Sequence, residues 1–114
     1  MTDTEVDRMS EFVVVLVTAR SGDEAERLAE AVVTEQLAAC VNVVGPVRSI
    51  YMWKGELQRD EERLLIIKTR AALFDQLEQR VRELHSYETP EIVALPITAG
   101  SQPYLDWLGR AVGG

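Results

Sequence analysis

Between Val41 and Thr69 the chain reads Val-Asn-Val-Val-Gly-Pro-Val-Arg-Ser-Ile-Tyr-Met-Trp, then Lys-Gly, then Glu-Leu-Gln-Arg-Asp-Glu-Glu-Arg-Leu-Leu-Ile-Ile-Lys-Thr. Val47, Ser49, Tyr51 and Trp53 fall on one side and Arg48, Ile50 and Met52 on the other, the period of two that marks a strand. Lys54-Gly55 supplies a turn, because Gly tolerates positive φ. The pattern predicts one long β-hairpin. An arm of about 13 residues at ~3.3 Å per residue spans roughly 40 Å. A globule of 114 residues has a radius of gyration of ~13 Å and a diameter of roughly 35 Å. The tip, with Tyr51, Met52 and Trp53, is therefore expected to overhang. A two-stranded ribbon is marginal alone and exposes sticky edges. The tip is expected to dock on another copy, making the protein an obligate oligomer.

The flanking segments fit around this ribbon. Phe12-Val-Val-Val-Leu-Val-Thr18 is apolar on both faces, as a central strand is. Ser21-Gly-Asp-Glu24 is a capping box, with Ser21 capping and Glu24 reaching back. The helix it opens carries Ala25, Leu28, Ala29, Val32, Val33 and Leu37 on one stripe and is expected to end near Gln36. Gly45-Pro46 interrupts the first arm, where a bend or bulge is expected. Thr69 is placed as the cap of a second helix over 70–84, burying Leu73, Phe74, Leu77, Val81 and Leu84. Residues 85–90 form a loop, since Thr89 before Pro90 is biased away from helix. Glu91 to Pro96 is a fourth strand. Ser101 is placed as the cap of a last helix with Pro103 in its first turn and with Tyr104, Leu105, Trp107, Leu108 and Ala111 on its apolar side. The order β-α-β-β-α-β with a C-terminal helix gives an α+β, ferredoxin-like fold, with right-handed crossovers. Both main helices fall on one face of the antiparallel sheet. The bare opposite face is a second reason to expect a trimer or dimer.

Composition bounds the function. One domain is expected, with 46% apolar residues for its core. Residues 12–114 make that domain, and residues 1–11 read as a mobile acidic tail. The net charge of −7 argues against nucleic acid and anionic membrane surfaces. No apolar run reaches the ~18 residues of a membrane span. Phe12 to Val17 lacks a basic flank and is not a signal peptide. A single cysteine, Cys40, excludes an internal disulfide and suits a reducing cytoplasm.

Five stretches, in this order, resemble one family. They are Leu37-Ala-Ala-Cys-Val-Asn42, Ser49-Ile-Tyr-Met-Trp-Lys-Gly55, Ile67-Lys-Thr69, His85-Ser-Tyr-Glu-Thr-Pro-Glu91 and Tyr104-Leu-Asp-Trp-Leu108. Together they are similar to CutA, the divalent-cation tolerance protein, over roughly residues 12–112. The resemblance implies a cytoplasmic, ferredoxin-like homotrimer, PII-like in shape, linked to tolerance of copper and other divalent metals. The enterobacterial members carry a Cys near the end of the first strand and a His-His pair before Pro-Tyr. Here those positions hold Val17, Leu84-His85 and Ser86, so only His85 is kept.

His85 and Cys40 are the candidate metal ligands, since imidazole and thiolate suit copper. The bland readings are a helix C-terminal histidine whose charged form favours the dipole and a small buried thiol. One Cys and one His fall short of a four-ligand site, so carboxylates or a second subunit would have to contribute. Lys68, at the end of an apolar run, is either paired with Glu88 or Glu91 or left to bind an anion between subunits. Tyr87, Glu88 and Glu91 lie in a distinctive loop, a better functional hint than a core position. An inter-subunit pocket lined by Cys40, Lys68, His85, Tyr87, Glu88 and Glu91 follows. Trp53 reads as an interface anchor. The acidic group Glu56, Asp60, Glu61 and Glu62 reads as solvated strand surface, with weak divalent-cation binding as the other reading.

No Ser-His-Asp set and no P-loop is present. An acylphosphatase-like enzyme would need Arg20 and Asn42 beside a Gly-rich cradle, which Thr18-Ala-Arg-Ser-Gly22 is not. The expected activity is therefore binding, not catalysis: a homotrimeric divalent-metal (copper) tolerance or response protein. The alternatives are a PII-like signalling module that binds a small anionic ligand through Lys68 and a trimeric scaffold for a protein partner.

Overall fold

The two longest elements are the arms of the hairpin, β2 (Cys40–Trp53) and β3 (Glu56–Arg70). Lys54 and Gly55 join them at φ 51° and 81°, the conformation of a tight hairpin turn whose twist matches its strands. Trp53 faces Glu56, Tyr51 faces Gln58 and Ser49 faces Asp60, as the alternation requires. The register shifts between Val44 and Val47, so the expected irregularity lies at Gly45-Pro46, whose peptide is cis. In this computed structural model, which describes residues 10–113, the chain measures 42 × 34 × 23 Å. Its radius of gyration is 15.0 Å, above the ~13 Å of a compact domain of this length, as a projecting ribbon predicts.

The remaining elements are β1 (Phe12–Ala19), α1 (Gly22–Thr34), α2 (Phe74–Leu84), β4 (Ile92–Pro96) and α3 (Gln102–Ala111). The described strands form one sheet in the order β2-β3-β1-β4. Every neighbouring pair is antiparallel. The result is a mixed α+β fold of four strands and three helices among the described residues. Val13, Val15, Val17 and Ala19 alternate into the core, joined by Leu65 and Ile67 of β3. Ala25, Leu28 and Val32 of α1 and Leu77 and Val81 of α2 cover that same face. Each fully buried Leu or Val there contributes on the order of 1.5–3 kcal/mol.

The other face is only partly covered. Phe12, Arg70 and the strand positions in phase with them point there. α3 lies over the Phe12–Arg70 end, where the Arg70 guanidinium donates to the Gly109 carbonyl at 3.1 Å. A Cβ on Gly109 would stand 2.7 Å from the Arg70 guanidinium nitrogen, so the guanidinium would have to shift to admit a larger residue there. Beyond α3, Val44, Val93 and Leu95 remain exposed.

Several local expectations are corrected. Thr69 does not cap a helix. It belongs to β3, is fully buried, and its hydroxyl donates to the Leu37 carbonyl at 2.7 Å. A 3-10 turn at Ala71–Leu73 intervenes and α2 begins at Phe74, with no side-chain cap. Leu84 and Val33 are exposed at the edges of their helices' buried stripes. α1 ends at Thr34, and Gln36 turns to φ 60°. Ser101 precedes α3 without a side-chain cap bond, and Tyr104 and Trp107 are exposed while Leu108 is buried. Of the expected tail, residues 1–9 lie outside the described residues. Glu11 pairs with Arg70, and its carbonyl accepts from Ala71 N–H.

Candidate functional site

Where the projecting part of the hairpin leaves the sheet, an open groove of about 650 Å³ forms. One wall is the inner side of the tip: Ser49, Tyr51, Trp53 and Gln58. Register puts these four side chains on one face, together with Glu62. The opposite wall is the segment after α2: Tyr87, Glu88, Thr89 and Glu91. Thr18, at the end of β1, lies between them. None of the lining side chains is basic.

Glu62 and Tyr87 join the walls. The Tyr87 hydroxyl donates to Glu62 Oε2 at 2.8 Å. Burial, followed by this bond to a carboxylate, pushes the Tyr87 pKa well above its ordinary 10, so the phenol remains a donor at neutral pH. Across the ribbon the Tyr51 hydroxyl donates to Asp60, and that bond raises the Tyr51 pKa.

The Tyr87 wall is fixed from behind. Nδ1 of His85 accepts the Tyr87 N–H at 3.0 Å. That leaves Nε2 as the protonated nitrogen, 2.7 Å from the Thr18 carbonyl it donates to. The imidazole thus staples the loop to β1, with its ring 4.8 Å from the Tyr87 ring. Glu24 adds a second staple: one oxygen accepts Arg20 N–H at 3.2 Å, the other Ser86 N–H at 2.8 Å. Burial alone would raise the Glu24 pKa, but the bonds from Ser86 and Arg20 outweigh it and lower the value below 4.5. Glu24 N–H bonds Ser21 Oγ at 3.2 Å as the capping box requires. The carboxylate reaches Arg20, however, not the Ser21 amide.

Residues 13–111 match the CutA1 divalent ion tolerance protein family. The chain belongs to that family. The divalent-cation tolerance protein CutA of Thermus thermophilus is 51% identical over 100 residues, covering 88% of this chain and 97% of that protein. The solved structure of the Thermus CutA1 covers 90% of this chain and 99% of its own, with a TM-score of 0.87 and 50% identity. The chloroplastic CutA of Arabidopsis thaliana is 49% identical over 96 residues, 84% of this chain but 53% of that longer protein.

On this CutA1 fold the residues singled out in the sequence divide into two groups. Tyr87, Glu88 and Glu91 line the groove, and His85 sits directly behind it. Cys40 and Lys68 face each other across β2 and β3. They lie about 13 Å along β3 from Leu64, the residue beside Thr18, at ~3.3 Å per residue. The Lys68 ammonium donates to Asn42 Oδ1, not to Glu88 or Glu91. Cys40 is half-buried, near enough to Tyr104 to add to the burial that raises the Tyr104 pKa. The sequence reading missed Glu62 and Tyr51 as groove residues. In the sequence Glu62 reads as one of several solvated acids, yet it is 6% exposed. The bulge changes which residues of β2 it faces, and no local pattern displays that.

No group of three or more His, Cys, Asp and Glu side chains that could hold a metal ion occurs among the described residues. Both His85 nitrogens are bonded to backbone, and Cys40 lies at the other end of the sheet. Among the described residues no helix is long and apolar enough to cross a membrane.

Proposed function

We propose that the protein serves divalent-metal tolerance, copper included, as a homotrimer that acts by binding and not by catalysis. The observation that carries the reading is the groove: a ready-made concavity on a stapled scaffold, acidic, and without a nucleophile–base pair on its walls. Binding sites are concave and largely pre-formed, and carboxylate oxygens suit cations. Its relatives' names, which speak of divalent-cation tolerance, agree. Because the described residues of one chain gather no such ligand set, any tightly held metal would take donors from more than one subunit. The exposed residues Met52 and Leu57, paired on the face of the tip that turns away from the groove, support assembly, since apolar patches at a projecting edge are seldom left to water. Cytoplasmic residence rests on the lone, half-buried Cys40.

The PII-like reading, an anionic ligand held by Lys68, has less behind it. Lys68 is engaged by Asn42, and the groove offers an anion no basic side chain. Calorimetry with Cu(II), Zn(II) and a nucleotide panel separates the two. Metal heat without nucleotide heat supports tolerance by metal binding. Nucleotide heat abolished by Lys68→Ala would reverse the choice.

A further inference from the structure

Glu62 is nearly buried at 6% exposure, yet only half of its carboxylate is engaged. Oε2 accepts from Tyr87. Among the described residues its other oxygen has no hydrogen-bond partner, and no basic side chain lies within salt-bridge distance. Among the described residues no side-chain oxygen shut off from solvent lacks a partner, so the second oxygen opens to the groove, where it can accept charge-assisted hydrogen bonds from an incoming cation. The groove neighbours Glu88 and Glu91 deepen the negative potential instead of relieving it.

Three aromatic side chains share the groove with this carboxylate: Tyr51, Trp53 and Tyr87. Tyr51 is 42% exposed and Trp53 is 55% exposed. We infer that the groove binds a small organic cation bearing an ammonium or guanidinium group, with Glu62 as its ion-pair partner and Tyr51 and Trp53 as the aromatic faces that cover it. Aromatic faces attract such cations through the ring quadrupole, and a carboxylate adds charge-assisted hydrogen bonds. The Lys54 ammonium already lies 5.9 Å from the Trp53 ring centroid, so that ring accepts a cation, although Lys54 does not line the groove. A volume of about 650 Å³ is that of a small-molecule site. A metal ion is served less well there. It needs several ligand atoms at ~2.0–2.6 Å, and no side-chain cluster of that kind occurs among the described residues. An organic cation needs one carboxylate and the rings.

The inference rests on the groove being a binding site, as proposed above, but not on metal being its ligand. The test uses the full chain with Trp107→Phe, which leaves Trp53 as the sole tryptophan. Agmatine, spermidine and choline are titrated by Trp53 fluorescence, with calorimetry in parallel on the unsubstituted protein. ZnCl₂ and AMP are the metal and anion arms. At least one amine is expected to give a saturable signal, and Glu62→Gln is expected to weaken it more than tenfold, since removing one member of a buried ion pair is costly. Lys54→Ala is expected to leave it within about twofold, as exposed charges contribute little. Should Glu62→Gln not fold, Trp53→Leu, at an exposed position, decides by calorimetry, with binding expected to weaken severalfold. No saturable amine signal, or equal amine affinity after either substitution, overturns the inference. Zinc heat without amine binding overturns it while leaving the metal reading standing. Amine binding without zinc heat does the reverse.

Discussion

Glu24 shows at the level of one residue how local and distant demands meet. Ser-x-x-Glu was legible in the sequence because capping is a contact between near neighbours. The bond from Glu24 to Ser86 spans 62 residues and left no local trace. Replacing Glu24 by Gln leaves one acceptor oxygen where two backbone N–H groups need one each. A loss of about 1–3 kcal/mol is expected, read from urea unfolding at pH 7. The pH dependence has a definite sign. The folded-state pKa lies below 4.5, so this contribution is fully present above pH 4.5 and is lost as pH falls through the folded value. Glu24→Gln should therefore flatten the acid limb of a Tm–pH profile. Tyr87 has the opposite sign. Its pKa is raised above 10, first by burial and then by Glu62, so its contribution holds below pH 10 and is lost above it as the unfolded chain ionises first. Tyr87→Phe should lower stability at pH 7 by about 0.5–1.5 kcal/mol and make the alkaline decline shallower. Equal slopes in the two proteins would show that Tyr87 carries none of that dependence.

At the level of the element, the hairpin was readable because its signals are local and agree: a period of two, a Lys-Gly turn and a Gly-Pro interruption. Helix ends were less readable. Thr69 looks like a cap, but the register of β3 against β1, where it faces Val13, puts it inside the sheet. Tertiary packing outweighed the capping preference there. Gly45 is the joint on which the ribbon's direction depends. A Cβ at that position would stand 3.2 Å from the Glu62 carbonyl oxygen and collide with the Arg63 side chain. Arg63 can swing away, whereas the β3 backbone cannot. Gly45→Ala is therefore expected to destabilise by about 1–3 kcal/mol and to disturb the groove through Glu62. Thermal unfolding checks the first effect. An unchanged Tm would mean that the ribbon shifts more freely than its two-stranded pairing implies.

At the scale of the whole molecule, the strand order follows from the β-α-β-β-α-β sequence and the crossover rule, which is why it could be anticipated. The six-residue pocket could not be resolved the same way. Cys40 and Lys68 occupy the α3 end of the sheet, and Tyr87, Glu88 and Glu91 the hairpin end. Nothing in the spacing of those residues reports which end each reaches. Assembly can be tested on the same sheet. Leu95 faces Val14 on the side that α1 and α2 leave bare, and is 52% exposed. In an isolated chain, changing so exposed a residue should move stability by no more than about 0.5 kcal/mol. If three chains bury that face, a charge at the same position becomes an unpaired ion in an apolar contact, and such ions are strongly unfavourable. Leu95→Arg separates these cases because it costs the monomer almost nothing. Sedimentation equilibrium is expected to give a species of three times the 12.8 kDa chain mass before the substitution and a smaller, still folded species after it. A substituted protein that sediments like the original would place the covering contact elsewhere, and the exposed tip residues Met52 and Leu57 would then be the positions to charge.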